Sequence, residues 1–209
     1  MKGWMKKMEV KERFVEMLLG TRRAGMDKLI DWMENNGFFT SPCSGGNHLA
    51  KEGGLAEHSL NVFRLMNADA ACKMKVEDYE SNKSSIIITS LLHDLGKCGD
   101  YGKPGYVPNM IKDGRPTKAE PEQKYKQSET KPFEVNKELI PVDHEIRSVK
   151  IASKFIDLTE EEELAILWHN GLYGNFKYQI QGKETPLYLL LHFADMWASR
   201  VVEIETKPE

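Results

Sequence analysis

The sequence predicts an all-α protein, a helical bundle interrupted by one long irregular insertion that carries short β-hairpins. Seven segments repeat apolar residues at spacings of three and four, which is the period of one helix face. Between residues 99 and 141 that period disappears, and the stretch holds six of the nine prolines of the chain. A length of 209 residues suits one domain. We therefore predict a single domain over 1–209, with a helical appendage at 1–36, a helical core at 50–203 and an insertion at 99–141.

The first two predicted helices contain no histidine, and we expect them to pack outside the helical core. Apolar residues share one face of a helix over 8–20 and of a second helix over 24–36. A loop over 40–54 follows, punctuated by proline and paired glycines. His48 lies in this loop, where we expect it to be exposed to solvent or satisfied within the loop.

The middle of the chain predicts two buried helices joined by a polar connection. The first spans 55–74 and carries His58 on its apolar stripe. Residues 78–85 are polar and predict the connection. A second helix over 86–95 follows, and Gly96 suits its end, where a tight or left-handed turn is needed.

The insertion over 99–141 spreads tyrosines and phenylalanine among charged residues. We predict short irregular ribbons at 106–111 and 125–127, with a turn at Asp113–Gly114. A loop of this length in a compact domain is typical of a lid or a binding loop. Two interpretations stay open: the insertion covers a pocket and helps to select the substrate, or it is a decoration without function.

Two further helices are predicted between 142 and 171. The first spans 142–157 and has His144 in its opening turn. The second opens with a capping box formed by Thr159 and Glu162, so its acidic run indicates a helix start and not a metal site. This helix leaves His169 at its end.

The last predicted helix begins at Thr185–Pro186, a favourable pair for a helix N-terminus, and places Asp195 on its apolar face. Before it, residues 171–184 predict a loop with a short hairpin at 176–181. The tail over 203–209 is expected to be solvated.

Composition narrows the class of protein. A formal net charge of −3 excludes a surface that attracts nucleic acid over its whole area, so any phosphate binding must be local. The three cysteines lack C-x-x-C spacing, which favours free thiols in a reducing compartment. No stretch resembles a signal peptide or reaches the length of a membrane span. We therefore predict a cytoplasmic protein without membrane contact.

The pair His93–Asp94 follows a run of apolar residues that predicts a buried helix. Burying an imidazole and a carboxylate without partners costs several kcal/mol, and a divalent cation would satisfy both. An adjacent His-Asp pair at a helix end is also often only a cap beside a surface histidine. The metal interpretation is favoured because further candidate ligands occupy helix positions that could face inward: His58, His144, His169 and Asp195.

Three motifs follow one another in the order H…HD…D, namely G-G-L-A-E-H, L-L-H-D-L-G-K and L-H-F-A-D. Over roughly residues 50–200 the chain resembles the HD-domain metal-dependent phosphohydrolases. The resemblance implies an HD-domain helical bundle whose metal ion is held by four residues: His58, His93, Asp94 and Asp195. The segments H-E-I-R-S-V-K-I-A and A-I-L-W-H-N-G also resemble those that donate further histidines in two-metal members, including the HD domain of bacterial 3′-to-5′ exoribonucleases.

By this resemblance His144 and His169 would join a second ion, bridged to the first by Asp94. Many two-metal relatives carry a His-His pair where this chain has His169–Asn170, so the second position is one imidazole short. The sequence therefore leaves one or two ions open. Imidazole and carboxylate ligands suit Mn, Fe, Co, Ni or Zn, with Mg as the alternative.

The implied activity is that of a metal-dependent phosphohydrolase, either a phosphomonoesterase or a phosphodiesterase. Asp94 would hold the attacking water and accept its proton, while Lys97 would offset charge on the phosphate. Arg147 and Arg200 are further candidates for phosphate binding. The acidic chain without an RNA-binding module favours a phosphorylated small molecule, a nucleotide, over a nucleic-acid end.

Two other classes stay open beside the hydrolase. One is a non-catalytic HD module that senses a nucleotide, and the other is an HD-type oxygenase with a di-iron centre. The sequence does not decide whether His48 or His192 takes part in the site, and it does not predict the oligomeric state.

Overall fold

The computed structural model describes residues 2–116 and 121–204, and it is mainly helical, at 54% helix. Six short strands form three separate antiparallel pairs within the described residues. The eight α-helices described there are α1 (Lys2–Gly20), α2 (Met26–Asn35), α3 (Gly54–Lys73), α4 (Val76–Leu92), α5 (His144–Ala152), α6 (Glu160–Trp168), α7 (Lys177–Ile180) and α8 (Pro186–Trp197). The predicted helical architecture is confirmed at this level.

The N-terminal helices α1 and α2 share one hydrophobic core with α3 and α4. Phe14 of α1 and Met33 of α2 are fully buried in the same cluster as Leu55 and Leu92. Burying side chains of this size stabilises the fold by about 1.5–3 kcal/mol each. The two helices therefore pack against the N-terminal end of α3 and the C-terminal end of α4.

Helix α4 begins at Val76, about ten residues before the predicted start, so the predicted polar connection at 78–85 was wrong. Its first turns are largely exposed and lack the apolar stripe on which the prediction relied. Glu77 and Asp78 in the first turn favour the positive end of the helix dipole. The helix ends at Leu92, one residue before the His-Asp pair.

A 3₁₀ turn over Leu95–Cys98 follows the pair and packs on α5. A Cβ atom on Gly96 would collide with the backbone oxygen of His144 and with Arg147 Cβ. Glycine is needed here for that close approach, and its φ angle is not positive. Gly96 thus lets α5 approach the end of α4.

The insertion contains the predicted short β-pairs, which form three separate antiparallel pairs. Strands β1 (Gly99–Asp100) and β2 (Lys103–Pro104) pair at its base. The remaining strands are β3 (Tyr106–Pro108), β4 (Met110–Lys112), β5 (Tyr125–Gln127) and β6 (Phe133–Val135), paired antiparallel as β3 with β6 and β4 with β5. The backbone N–H of Phe133 donates to the oxygen of Gly45 at 3.0 Å, which ties the insertion to the loop over 40–54.

The C-terminal helices begin where their caps predict. Thr159 and Glu162 form the predicted capping box of α6, and Thr185 accepts from the backbone of Tyr188 at the start of α8. The predicted hairpin at 176–181 was wrong: these residues form the helical turn α7, which buries Ile180.

Helix α8 passes into a π-helical turn over Ala198–Val202, which carries the chain back towards α3. Among the described residues, no helix combines the length and the apolar character that crossing a bilayer requires.

Candidate metal centre

The six predicted ligands come from five helices or their ends, and they meet in one interior volume. His58 lies in the second turn of α3, the pair His93–Asp94 just after α4, and His144 opens α5. His169 directly follows α6, and Asp195 lies in α8. The side chains of His58, His93, Asp94 and His169 are at most 1% exposed.

Short distances join these side chains into one cluster. His58 Nε2 lies 3.1 Å from Asp195 Oδ1 and 3.5 Å from Asp94 Oδ2. The other carboxylate oxygen of Asp94, Oδ1, lies 3.1 Å from His144 Nε2 and 3.5 Å from His169 Nε2. Asp94 therefore stands between two sets of ligands, with one carboxylate oxygen towards each.

Three buried atoms of the cluster have no hydrogen-bond partner: His58 Nε2, His93 Nε2 and Asp94 Oδ1. An unpaired buried polar atom costs about 1–3 kcal/mol, and more when it carries charge. His58 Nε2 and His93 Nε2 each lie 3.5 Å from Asp94 Oδ2, whereas Asp94 Oδ1 faces His144 and His169. Metal ions in both groups of ligands would satisfy all three atoms.

The other ring nitrogen of three histidines is held by an acceptor. His93 Nδ1 lies 2.9 Å from the backbone oxygen of Ser90, and His169 Nδ1 lies 2.7 Å from that of Ile166. His58 Nδ1 is bound by both carboxylate oxygens of Glu203, at 2.9 and 3.1 Å. A proton on Nδ1 leaves Nε2 with a free lone pair, which is the form that binds a metal.

The residues fit a divalent cation in two overlapping groups. The ligand atoms of His58, His93 and Asp94 lie within 4.8 Å of one another, as do those of Asp94, His144 and His169. Asp195 adds a ligand to the first group through its contact with His58. It also forms a third group together with His93 and His169. Imidazole and carboxylate together suit first-row transition ions.

Charges around the cluster keep its carboxylates ionised. Burial opposes ionisation of Asp94, but Lys97 and His93 outweigh it and hold the pKa of the carboxyl well below its usual range. Burial is likewise outweighed at Asp195, where the imidazole of His58, 3.1 Å away, lowers the pKa.

Burial lowers the pKa of His93 and favours the neutral imidazole. Burial likewise opposes the charged form of His58 and His169, but Cys43 and Asp195 beside the first, and Asp94 beside the second, outweigh it and raise the pKa of both imidazoles. A metal ion that binds these two imidazoles would displace their protons.

The predicted phosphate-binding residues differ in their placement. Lys97 Nζ donates to Asp94 Oδ2 at 2.6 Å, so it lies at the centre. Arg147 is buried and donates to the backbone oxygen of Ile140 at 3.0 Å. Arg200 is exposed, and its guanidinium lies 5.0 Å from the centre of the Tyr173 ring. The structure brings Lys97 and Arg147 to one cavity, and it gives Arg200 a different neighbour.

That cavity has a volume of about 650 Å³ and opens beside the metal cluster. His144, Lys97 and Arg147 line its inner side. The insertion supplies its outer wall, including Tyr106 and Lys131. The insertion therefore lies where a covering element would have to lie.

Two residues that were not predicted as ligands lie near the centre. Glu203 was predicted in a solvated tail, yet it is buried and binds His58; the other tail residues from 205 on lie outside the described residues. His48 was predicted to be exposed or satisfied in its loop, and its Nε2 lies 3.3 Å from Cys43 Sγ of the same loop, which agrees with the second alternative. The ring centre of His48 also lies 5.0 Å from that of His58. No periodic signal in the sequence marks Glu203, because a π-helical turn lies between Asp195 and this residue.

Two polar residues beside the cluster have structural partners. His192 Nδ1 lies 2.8 Å from the backbone oxygen of His169, and its ring stacks on Tyr188. Asn170, the residue that departs from the His-His pair, donates to Glu145 and lies 3.5 Å from His144 Nε2. The amide thus occupies the place beside His144 where a further imidazole would stand.

Comparison of the chain with protein-family models, curated proteins and solved structures found no match. The fold and the site therefore define the class: a mainly helical protein with a buried cluster of histidines and aspartates, compatible with an HD-type metal site.

Proposed function

We propose that the chain is an HD-domain, metal-dependent phosphohydrolase that cleaves a phosphoester of a nucleotide or of a nucleic-acid end. The observation that carries this proposal is the set of three buried, unpartnered atoms on His58, His93 and Asp94. The three residues offer ligand atoms within 4.8 Å of one another, beside a cavity that is also lined by Lys97. Such an arrangement is costly unless a cation is bound, and the cavity gives a substrate access to it.

Four residues would hold the first ion: His58, His93, Asp94 and Asp195. His144 and His169 would hold a second ion, with Asp94 shared between both positions. A divalent cation supplies Lewis acidity, which lowers the pKa of a bound water and neutralises charge on phosphate oxygens.

The chain's own residues would divide the remaining work. Asp94 holds the attacking water by a carboxylate oxygen and accepts its proton. Lys97, now 2.6 Å from Asp94, is within reach of a phosphate bound beside that carboxylate. Arg147 lines the adjoining wall, where it would orient the substrate.

The cavity favours a phosphorylated small molecule. Its lining carries the cationic residues Lys97, Lys131, Lys137 and Arg147 against only two carboxylates, although the chain as a whole has a net charge of −3. The ring of Tyr106 and an apolar stretch at 139–142 offer a surface for a nucleobase. A volume of about 650 Å³ lies within the usual range for small-molecule sites.

The test is turnover by the purified full chain with Mn²⁺ and a panel of phosphomonoesters, phosphodiesters, nucleotides and short oligonucleotides. We expect release of phosphate or nucleoside monophosphate, and a loss of at least about 10³-fold in Asp94→Asn. Asp113→Asn, which removes an exposed carboxylate in the insertion, is the matched control and should keep full activity.

Metal content, measured on the same samples by elemental analysis, separates the outcomes. Absence of turnover on every phosphoester with every divalent ion would refute the proposal. Nucleotide binding without turnover would favour the sensing module, and oxygen consumption by an iron-loaded sample would favour the oxygenase.

A further inference from the structure

We propose that Cys43 and His48, together with His58, form a second kind of metal position, one for a thiophilic divalent cation such as Zn²⁺ or Cd²⁺. The ligand atoms of these three residues lie within 4.8 Å of one another. Cys43 Sγ lies 3.3 Å from His48 Nε2, close to the separation of two ligands on a tetrahedral ion. We call this group the thiol position.

A second observation concerns His58, the residue that this group shares with the metal centre. His58 is fully buried, and its Nε2 has no hydrogen-bond partner. Its Nδ1 is bound to Glu203, so Nε2 is the nitrogen left free. His58 thus belongs both to the metal centre and to the group that contains Cys43.

The loop that carries Cys43 and His48 is held in shape before any ion binds. The backbone N–H of Cys43 donates to the oxygen of Leu49 at 3.2 Å, and Ser44 Oγ donates to the oxygen of His48 at 2.8 Å. A Cβ on Gly54 would collide with Leu49 O, so the loop packs tightly on the start of α3. Both side chains are therefore presented together towards α3, and little ordering is left to accompany binding.

The donor set decides which ions this position prefers. The six predicted ligands of the metal centre are all imidazoles and carboxylates, whereas the thiol position adds a sulfur. Thiolate favours Zn²⁺ and Cd²⁺ over Mn²⁺ or Mg²⁺. Cys43 Sγ lies only 4.0 Å from Asp94 Oδ2, so the two positions adjoin. An ion at the thiol position draws on His58 and competes with the ion of the centre.

Cadmium binding tests the proposal without any substrate. The full chain, stripped of metal, is titrated with Cd²⁺ while the ultraviolet thiolate-to-cadmium charge-transfer band is recorded. We expect one saturable band per chain that is absent in Cys43→Ser. Cys72→Ser, which removes an exposed thiol, and Cys98→Ser, which removes a buried thiol, are the controls and should keep the band.

His48→Gln keeps the thiol and guards against misfolding of the Cys43 variant; it should weaken Cd²⁺ binding at least about tenfold. A band that persists in Cys43→Ser, or Cd²⁺ affinity unchanged in His48→Gln, would overturn the proposal. His58→Gln should weaken both Cd²⁺ and Mn²⁺, and full Cd²⁺ affinity in that variant would refute the sharing of His58.

The outcome is separable from that of the proposed function. Mn²⁺ content of Cys43→Ser reports whether the metal centre itself is intact. Loss of the cadmium band with Mn²⁺ retained therefore concerns the thiol position alone, and phosphoester turnover is measured independently of it.

Discussion

Removal of the Glu203 carboxylate should weaken the metal centre without unfolding the chain. Glu203 lies eight residues beyond Asp195, and it is buried against α3. It binds His58 Nδ1 through both carboxylate oxygens and also accepts from Asn61 Nδ2 at 2.9 Å. Its contact with the imidazole fixes the ring orientation and raises the basicity of Nε2, the nitrogen that faces the cluster.

The expected size of the effect follows from these contacts. A hydrogen bond between charged partners contributes about 1.5–3 kcal/mol, and partners behind a metal-bound histidine typically alter metal affinity by about 10–100-fold. That range corresponds to about 1.4–2.7 kcal/mol. Glu203→Ala removes both the hydrogen bond and the charge, so it should reach the upper part of the range. Glu203→Gln keeps an acceptor for Nδ1–H and should reach the lower part.

Isothermal titration with Mn²⁺ measures the affinity, and circular dichroism verifies that the helices persist. Glu80→Gln removes an exposed carboxylate of α4 and serves as the control for charge alone. Equal affinities in wild type and Glu203→Ala would show that Glu203 does not act through His58. An equal loss in Glu203→Ala and Glu80→Gln would show a general effect of net charge.

Two further substitutions test the framework around the centre. Gly96→Ala should destabilise the chain by about 1–3 kcal/mol in urea unfolding, because the new methyl group meets the backbone of His144; Gly20→Ala, with open space around it, should not. Glu162→Gln should lower the free energy of unfolding by about 2–3 kcal/mol, because Arg23 donates to both of its carboxylate oxygens, at 2.7 and 2.9 Å. The control is Glu160→Gln, which changes an exposed carboxylate of the same helix; a smaller destabilisation by Glu162→Gln than by Glu160→Gln would contradict this prediction. Burial opposes ionisation of Glu162, but Arg23 outweighs it and lowers the pKa of this carboxyl. The contribution of Glu162 to stability is therefore complete above the usual pKa of a glutamate and is lost as the pH falls through the lowered pKa. Glu162→Gln should remove this part of the dependence of stability on acid pH.

The local signals in the sequence predicted most helix starts because those signals act through near neighbours. The capping box at Thr159 and the pair Thr185–Pro186 each depend on residues within one turn, and both helices begin there. Helix α4 was cut short in the prediction because its first turns face solvent and show no apolar period. Helix α7 was missed because a single turn is too short for any period to be read.

The candidate ligands could be predicted for a different reason. A histidine or aspartate on an otherwise apolar stripe needs a partner in the interior, and this demand is visible in the sequence at His58 and Asp195. Cys43 and His48 carry no such mark, because they lie in a loop whose path is set by contacts with α3. Glu203 was missed because the π-helical turn that brings it back to His58 has no sequence period.

The placement of the insertion argues against a purely decorative role. At its base the buried carboxylate of Asp100 binds Lys150 Nζ at 2.7 Å and lies 3.7 Å from Lys154 Nζ. Lys150 belongs to α5, the helix that begins with His144, and Lys154 lies just after the end of that helix. At its far side Phe133 is bonded to the loop that carries Cys43. The insertion is thus fixed at two points, one on each side of the cluster, and the wall it gives the cavity has a defined position. Residues of the insertion line the same cavity as His144, so under the proposed function we expect substrate selection to depend on them.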